Sequence, residues 1–367
     1  MKHKFFSLRV LILICLLLIL SIIYFSKILS PLQIKIEIKK HQFNRSNFHF
    51  IHEHWKEEKL KYLRNNEDFI QISEANQFKY FLKLCDWVHR QWERSVPDPY
   101  PLSNAIDILR DIRSKKTGGF CGQYAYVLAD VFKSLGYFNV RYVELWSNKR
   151  RNKSHFVVEI WSDMYEKWVI LDPDNNIYYE IKNTAIPANA FEIRKFIFGG
   201  EKVRLCPVTQ SKPINEEEQI ELYANFAVSL RSDLMRHKKP LTVNDRFQMF
   251  LFYKDQNTNQ SLFEEKIPYS HITERKEDLY YDCNYVRVTY SIKSHNGETT
   301  LFFFTDGSMP NFKAFSFSRN LGETWHSLNG NFLTIKKSDL PVNILVVPIN
   351  MYNRPGCTNV IDIDLKK

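Results

Sequence analysis

Two strand-like stretches joined by a short polar turn constrain this chain most. HFVVEIW (155–161) and KWVILD (167–172) are rich in β-branched and aromatic residues, and SDMYEK carries the chain between them. Such a pair closes as an antiparallel hairpin, which sets the start of the first strand beside the end of the second. Two ionisable residues stand at those two places: His155 opens the first strand and Asp172 closes the second. Making them neighbours centres the hairpin between Asp163 and Met164, inside the turn that composition alone marks.

Helical periodicity precedes the hairpin. Phe78, Phe81, Cys85, Val88 and Trp92 recur every three or four residues, which marks one buried stripe, with Ser73 as the expected N-cap. In that stripe Cys85 reads as a core residue. VPDPYP breaks the chain at 96–101, and a second helix is expected from Ser103 with Ile106, Leu109 and Ile112 inward. A third follows Cys121, carries Ala125, Leu128, Phe132 and Leu135 on one face, and stops at Gly136. VRYVELW (140–146) then opens the run of strands. Helices first and antiparallel strands after them give an α+β fold. Residues 187–238 read as helical again, NEEEQIELYANFAVSLRSDLMRH being the longest piece, and RFQMFLFYK (246–254) reads as a strand. From about residue 277 short strands alternate with Gly-, Asn- and Pro-bearing turns, which suggests a β-sandwich-like domain. Within it, SRNLGETW (318–325) resembles an Asp-box hairpin with Asn320 where Asp is usual, and is read as a stable turn.

The stretch GGFCGQYAYVLAD (118–130) places a thiol at the first turn of a helix. Backbone N–H groups are unpaired there and the helix dipole favours a thiolate. The same N–H groups suit an oxyanion. A cysteine nucleophile needs a base, and the base needs an orienting group; His155 and Asp172 supply both types. A lone cysteine at a helix start is more often structural, so the case rests on the three residues together.

The pieces GGFCGQYAYVLADVFKSLGYFNVRYV, SHFVVEIW and KWVILDP resemble the core of the transglutaminase-like superfamily over residues 118–174. The resemblance implies a papain-like core of helices packed on an antiparallel sheet. It implies Cys121 as nucleophile, His155 as general base and Asp172 as the group that holds the imidazole. The family's cysteine attacks a carboxamide or peptide carbonyl to give an acyl-enzyme, which implies a peptide or an amide-bearing polymer as substrate. No cofactor and no metal follow from it. His49, His52 and His54 cluster in HFIHEHW, but their spacing matches no zinc motif. Gln123 is a candidate for the polar wall of the site, and Arg150 and Arg151, in the basic loop before His155, are candidates for drawing in an anionic substrate.

The N-terminus sets the compartment. Basic MKHKFFSLR (1–9) precedes VLILICLLLILSIIYF (10–25), which carries no charge and is followed by no small-x-small cleavage site. This is read as a signal anchor over 10–26, with 1–9 cytoplasmic and everything after it outside, as a single-pass membrane protein with its catalytic domain periplasmic or extracellular; a cleaved signal peptide is the alternative. The remaining organisation is a membrane-proximal segment (27–72), a transglutaminase-like domain (73–255) and the β-rich domain (277–367). A net charge of +10 spread along the chain favours contact with an anionic surface or envelope polymer; no nucleic-acid motif accompanies it. The sequence also admits a different class: a non-catalytic binding or assembly protein of the cell envelope, with the core as scaffold and the β domain holding glycan or protein. The state of Cys121, free beside His155 or locked away, separates the two.

Overall fold

A computed structural model describes residues 12–13, 16, 18–21, 33–40, 42–149, 153–200, 202–209, 213–237, 239, 241–258, 269–293, 298–305 and 308–366. The expected anchor, 10–26, lies largely outside them, as do residues 1–9; its described residues 12, 13, 16 and 18–21 are helical. Among the described residues no helix is long and apolar enough to cross a membrane.

Among the described residues from 33 onward, four α-helices precede the main sheet: α1 (Glu58–Asn66), α2 (Gln77–His89), α3 (Ala105–Arg113) and α4 (Cys121–Ser134). The expected stripe of α2 is inside, with Phe78, Phe81, Cys85 and Val88 buried. Its cap is not Ser73: Asn76 Oδ1 accepts from Lys79 N at 3.0 Å, so the helix starts one turn later. Asn104 caps α3 in the same way, accepting from Asp107 N at 3.1 Å.

Helix α4 is buried along its whole length. It lies between α1, α2 and α3 on one side and the sheet on the other. A helix in that position must neutralise its own charges. Lys133 pairs with Asp130 at 2.6 Å, both side chains fully inaccessible. Asp130 also accepts from Ala105 N at 2.8 Å, and Lys133 donates to the Ser232 carbonyl at 2.6 Å. The ion pair thus ties α4 to the start of α3 and to a loop beyond the sheet.

The α+β expectation holds for the core. Strands β2 (Val140–Trp146), β3 (Ser154–Ser162), β4 (Lys167–Asp172) and β5 (Ile177–Ile181) run antiparallel in the middle of a nine-stranded sheet. On the β2 side follow Asn225–Ser229, Phe250–Tyr253 and His271–Thr273; on the β5 side lie Ile186–Pro187 and Val203–Pro207. One face of the sheet packs on α4 and its neighbours. The other packs under Trp161, Trp168, Ile170 and Tyr223, with Leu279 and Tyr280 closing over them.

Three sequence expectations need correction. The β3–β4 hairpin is shifted by two residues: Val158 faces Leu171, where the expected pairing put it opposite Val169. An even shift leaves every side chain on its own face, so His155 and Asp172 remain on one side but lie diagonally. The long helix expected within 187–238 is broken. Among the described residues of that range only Ala190–Ile197 and Glu216–Glu221 are α-helical, and NFAVS forms the strand next to β2. A short apolar run such as Phe226–Ala227–Val228 fits a buried strand as well as a helix, and burial on both faces selects the strand. In RFQMFLFYK only Phe250–Tyr253 is extended; Val243–Met249 is a helix capped by Thr242.

The last ninety residues form strands where alternation places them. Phe312–Ser318, Val342–Asn350 and Asn359–Lys366 join His326–Ser327 in one sheet, and Arg287–Lys293, Glu298–Phe304 and Phe332–Ile335 make another. Side chains of both meet in one apolar cluster that includes Val288, Phe303, Phe315, Val346 and Ile361. The first sheet gains a strand from the other end of the chain: β1 (Gln33–Ile38) pairs with Asn359–Lys366. SRNLGETW is a tight turn, in which Asn320 Oδ1 accepts from Thr324 N at 3.0 Å and from Ser318 Oγ at 2.8 Å.

Candidate active site

Helix α4 begins at Cys121 because the chain before it is squeezed. A Cβ on Gly119 would sit 2.6 Å from Ile112 Cδ1 and 2.7 Å from Trp92 Nε1; only glycine passes there. Gln123 then turns back, and its Oε1 accepts from Phe120 N at 3.1 Å, fixing the first turn. Its Nε2 is buried without a hydrogen-bond partner. Gln123 therefore builds the helix start below the thiol and has one amide donor to spare. Tyr124 stacks on Trp92, centroids 4.1 Å apart, and donates to the Trp92 carbonyl at 2.7 Å, so it locks α4 to the end of α2.

His155 lies near the open end of β3 and is buried. Its Nε2 bonds Asp172 Oδ2 at 2.7 Å. That leaves Nδ1 to face Cys121, and a ring nitrogen of His155, Cys121 Sγ and an oxygen of Asp174 lie within 4.8 Å of one another. Burial alone would push the imidazole down. The Asp172 carboxylate outweighs it by charge and hydrogen bond, with Cys121 adding, and holds His155 well above its ordinary value. Burial would likewise raise Asp172, but His155 and then Asn175 hold it below the usual carboxylate range.

The turn after β4 supports this pair. Asp172 Oδ1 accepts from Asp174 N at 3.1 Å and from Asn175 N at 3.2 Å, and Asn175 Nδ2 reaches Oδ2 at 2.8 Å. His89 at the end of α2 bonds the Pro173 carbonyl at 3.0 Å, and Asn176 donates to Asp86 at 2.9 Å. The orienting carboxylate is thus pinned to the same helix that shapes the start of α4.

Arg150 and Arg151 lie outside the described residues. The lysines flanking them are paired: Lys153 with Glu218 at 3.0 Å, and Lys149 with Glu217 and Glu221 at 3.6 and 3.8 Å. The basic loop is matched by the acidic helix Glu216–Glu221. The five cysteines among the described residues are free and buried. Cys283 and Cys357 share a cluster without a bridge, and Cys357 Sγ sits 3.5 Å from Asp163 Oδ1.

Asp174 and Asn175 were not singled out from the sequence. With Val158 opposite Leu171, extending the ladder brings Asp174 level with His155. The polar run DPDNN was the available sign, but the pairing two residues short hid its meaning.

A thiol at a helix start, an imidazole beside it and a buried carboxylate behind the imidazole, on helices against an antiparallel sheet, are the parts of a papain-like cysteine enzyme. The family model of the transglutaminase-like superfamily matches residues 69–173, a span that holds α2, α3, α4, Cys121, His155 and Asp172. No curated protein matches the chain.

Proposed function

We propose that this chain is a cysteine enzyme that transfers or hydrolyses an acyl group through a thioester on Cys121. The observation that carries the reading is the 2.7 Å bond from buried His155 to buried Asp172 beside a thiol at a helix start. In this reading His155 takes the Cys121 proton through Nδ1 and Sγ attacks the carbonyl carbon of a carboxamide or peptide. Backbone N–H groups at the start of α4 meet the developing oxyanion. The imidazolium returns the proton to the leaving amine. Water or another nucleophile, deprotonated by His155, then frees the acyl group.

The uncharged segment 10–26 supports placing the enzyme in a membrane as a single-pass protein with its core outside the cytoplasm. Peptides or amide-bearing envelope polymers are then the substrates, and the net charge of +10 suits an anionic polymer nearby. Two sheets sharing one apolar cluster support a β-sandwich-like reading of 277–367.

The test is the pH dependence of Cys121 alkylation, read by mass spectrometry, in the full chain and in His155→Ala. Fast labelling near pH 6 that slows about 10-fold or more in the variant is expected for a thiolate paired with His155. Slow labelling in both proteins overturns the enzyme reading.

A further inference from the structure

The acyl-transfer chemistry uses Cys121, His155 and Asp172 and leaves Asp174 without a task. Asp174 is buried, yet neither of its carboxylate oxygens has a hydrogen-bond partner. Its nearest countercharge is Arg94, whose Nη1 stands 3.4 Å from Oδ2 on a largely exposed side chain. A buried carboxylate left this way is rare, because desolvation without hydrogen bonds is costly. It points at the thiol and the imidazole, with one ligand atom from each of Cys121, His155 and Asp174 inside 4.8 Å.

These three donors, sulfur, nitrogen and oxygen, form the set that a borderline-soft divalent cation takes. Tetrahedral zinc, with bonds of about 2.0–2.3 Å, sets its ligands roughly 3.3–3.8 Å apart, so closing the site asks for about 1 Å of movement. The outer shell is already built. Asp172 holds Nε2 of His155, which orients the ring and leaves Nδ1 as the ligating nitrogen, as carboxylate–histidine–metal triads require. We propose that Cys121, His155 and Asp174 form a binding site for Zn²⁺ that reversibly blocks the nucleophile, with the fourth position left to water.

Binding takes Cys121 as thiolate and imidazole as the neutral base. The Cys121–His155 pair therefore gives up its one shared proton to solvent, and sulfur, Nδ1 and an oxygen of Asp174 each gain a bond to the metal. Sulfur bound to zinc no longer attacks a carbonyl. The inhibitory meaning rests on the cysteine-enzyme reading; the binding itself does not.

The full chain, freed of metal by a chelator, is titrated with Co²⁺ alone. One equivalent is expected to give a thiolate-to-cobalt charge-transfer band and the intense visible bands of a four-coordinate site, and Zn²⁺ is expected to abolish both. Saturating Zn²⁺ slows alkylation of Cys121 about 10-fold or more, and EDTA restores it. Asp174→Asn keeps the shape of the side chain and weakens Co²⁺ binding at least about 10-fold, the lower end for losing even an outer partner. No charge-transfer band, a band that survives Cys121→Ser, or equal affinity in Asp174→Asn overturns the site. The two readings fail separately. A thiol that labels slowly without metal yet binds Co²⁺ sinks only the enzyme. A thiol that labels fast and ignores Zn²⁺ sinks only the metal site.

Discussion

Asp172 accepts from Asp174 N, Asn175 N, Asn175 Nδ2 and His155 Nε2, so its carboxylate both shapes its own turn and holds the imidazole. The charge has a pH signature. His155 is raised in the folded protein, so its share of stability is full below about 6.5 and is lost as pH rises through the folded value. Asp172 is lowered, so its share is full above about 3.8 and is lost as pH falls through its folded value. Both shares coexist between those two limits. Asp172→Asn keeps the shape and removes the charge, and it is expected to cost about 3–5 kcal/mol near pH 5, the usual penalty for breaking a buried pair. The cost shrinks at a higher pH, once the imidazole of the parent protein has lost its proton. Urea denaturation at the two pH values measures this, and a cost that does not change with pH removes the ion pair from the account. His155 and Asp172 were legible because each stands at the end of a strand, where chemistry and hairpin geometry coincide. Asp174 was not, because its place depends on a register that a turn's composition fixes only to within a residue or two.

Helix α4 is held at both ends by parts distant in sequence. Its start threads past Trp92 and Ile112 at Gly119. At its other end, Arg354 Nε donates to the Leu135 carbonyl at 2.9 Å and Asn350 Nδ2 to the Gly136 carbonyl at 2.8 Å, so residues of the last sheet region satisfy carbonyls the helix leaves open. Gly119→Ala is expected to cost about 1–3 kcal/mol, the range for overpacking, and to slow Cys121 alkylation by displacing the helix start. Arg354→Ala is expected to cost about 1–3 kcal/mol through the stranded carbonyl while leaving the alkylation profile in place. Thermal melts paired with labelling separate the two; equal effects on labelling mean that α4 moves as one rigid rod. Among elements, the sequence marked those with clean periodicity: the stripe of α2, the helix after Cys121, the alternating C-terminal strands. It failed at NFAVS, since acidic residues before it and basic ones after it imitate a helix dipole around what is a buried strand.

Across the whole molecule, the strand at 33–38 and the last described segment are knitted together. Strand β1 pairs along its full length with Asn359–Lys366, from Gln33 opposite Lys366 to Ile38 opposite Ile361. Ile38 is buried in the cluster that also holds Ile361 and Ile363. The chain then runs back over the core: Asn44 N donates to Asp282 Oδ2 at 2.8 Å, Asn47 N to Asp278 Oδ1 at 2.8 Å, and Ile51 exchanges backbone bonds with Leu230 and Ser232 at 2.7 and 2.9 Å. The amphipathic pattern of LQIKIEIKK foretold a strand, but nothing local could name its partner more than three hundred residues away. Residues 33–38 are therefore part of the folded body. A chain lacking residues 1–31 keeps β1 and is expected to melt with the full chain. A chain lacking residues 1–40 loses burial of Ile38, about 1.5–3 kcal/mol, together with the backbone pairing of the strand. It also bares the edge of Asn359–Lys366, and an unpaired edge recruits other chains. This shorter chain is expected to melt lower and to elute from gel filtration as dimers or larger species. Equal melting of the two truncated chains, both monomeric, means that β1 contributes no stability and that the last sheet ends at its own C-terminal strand.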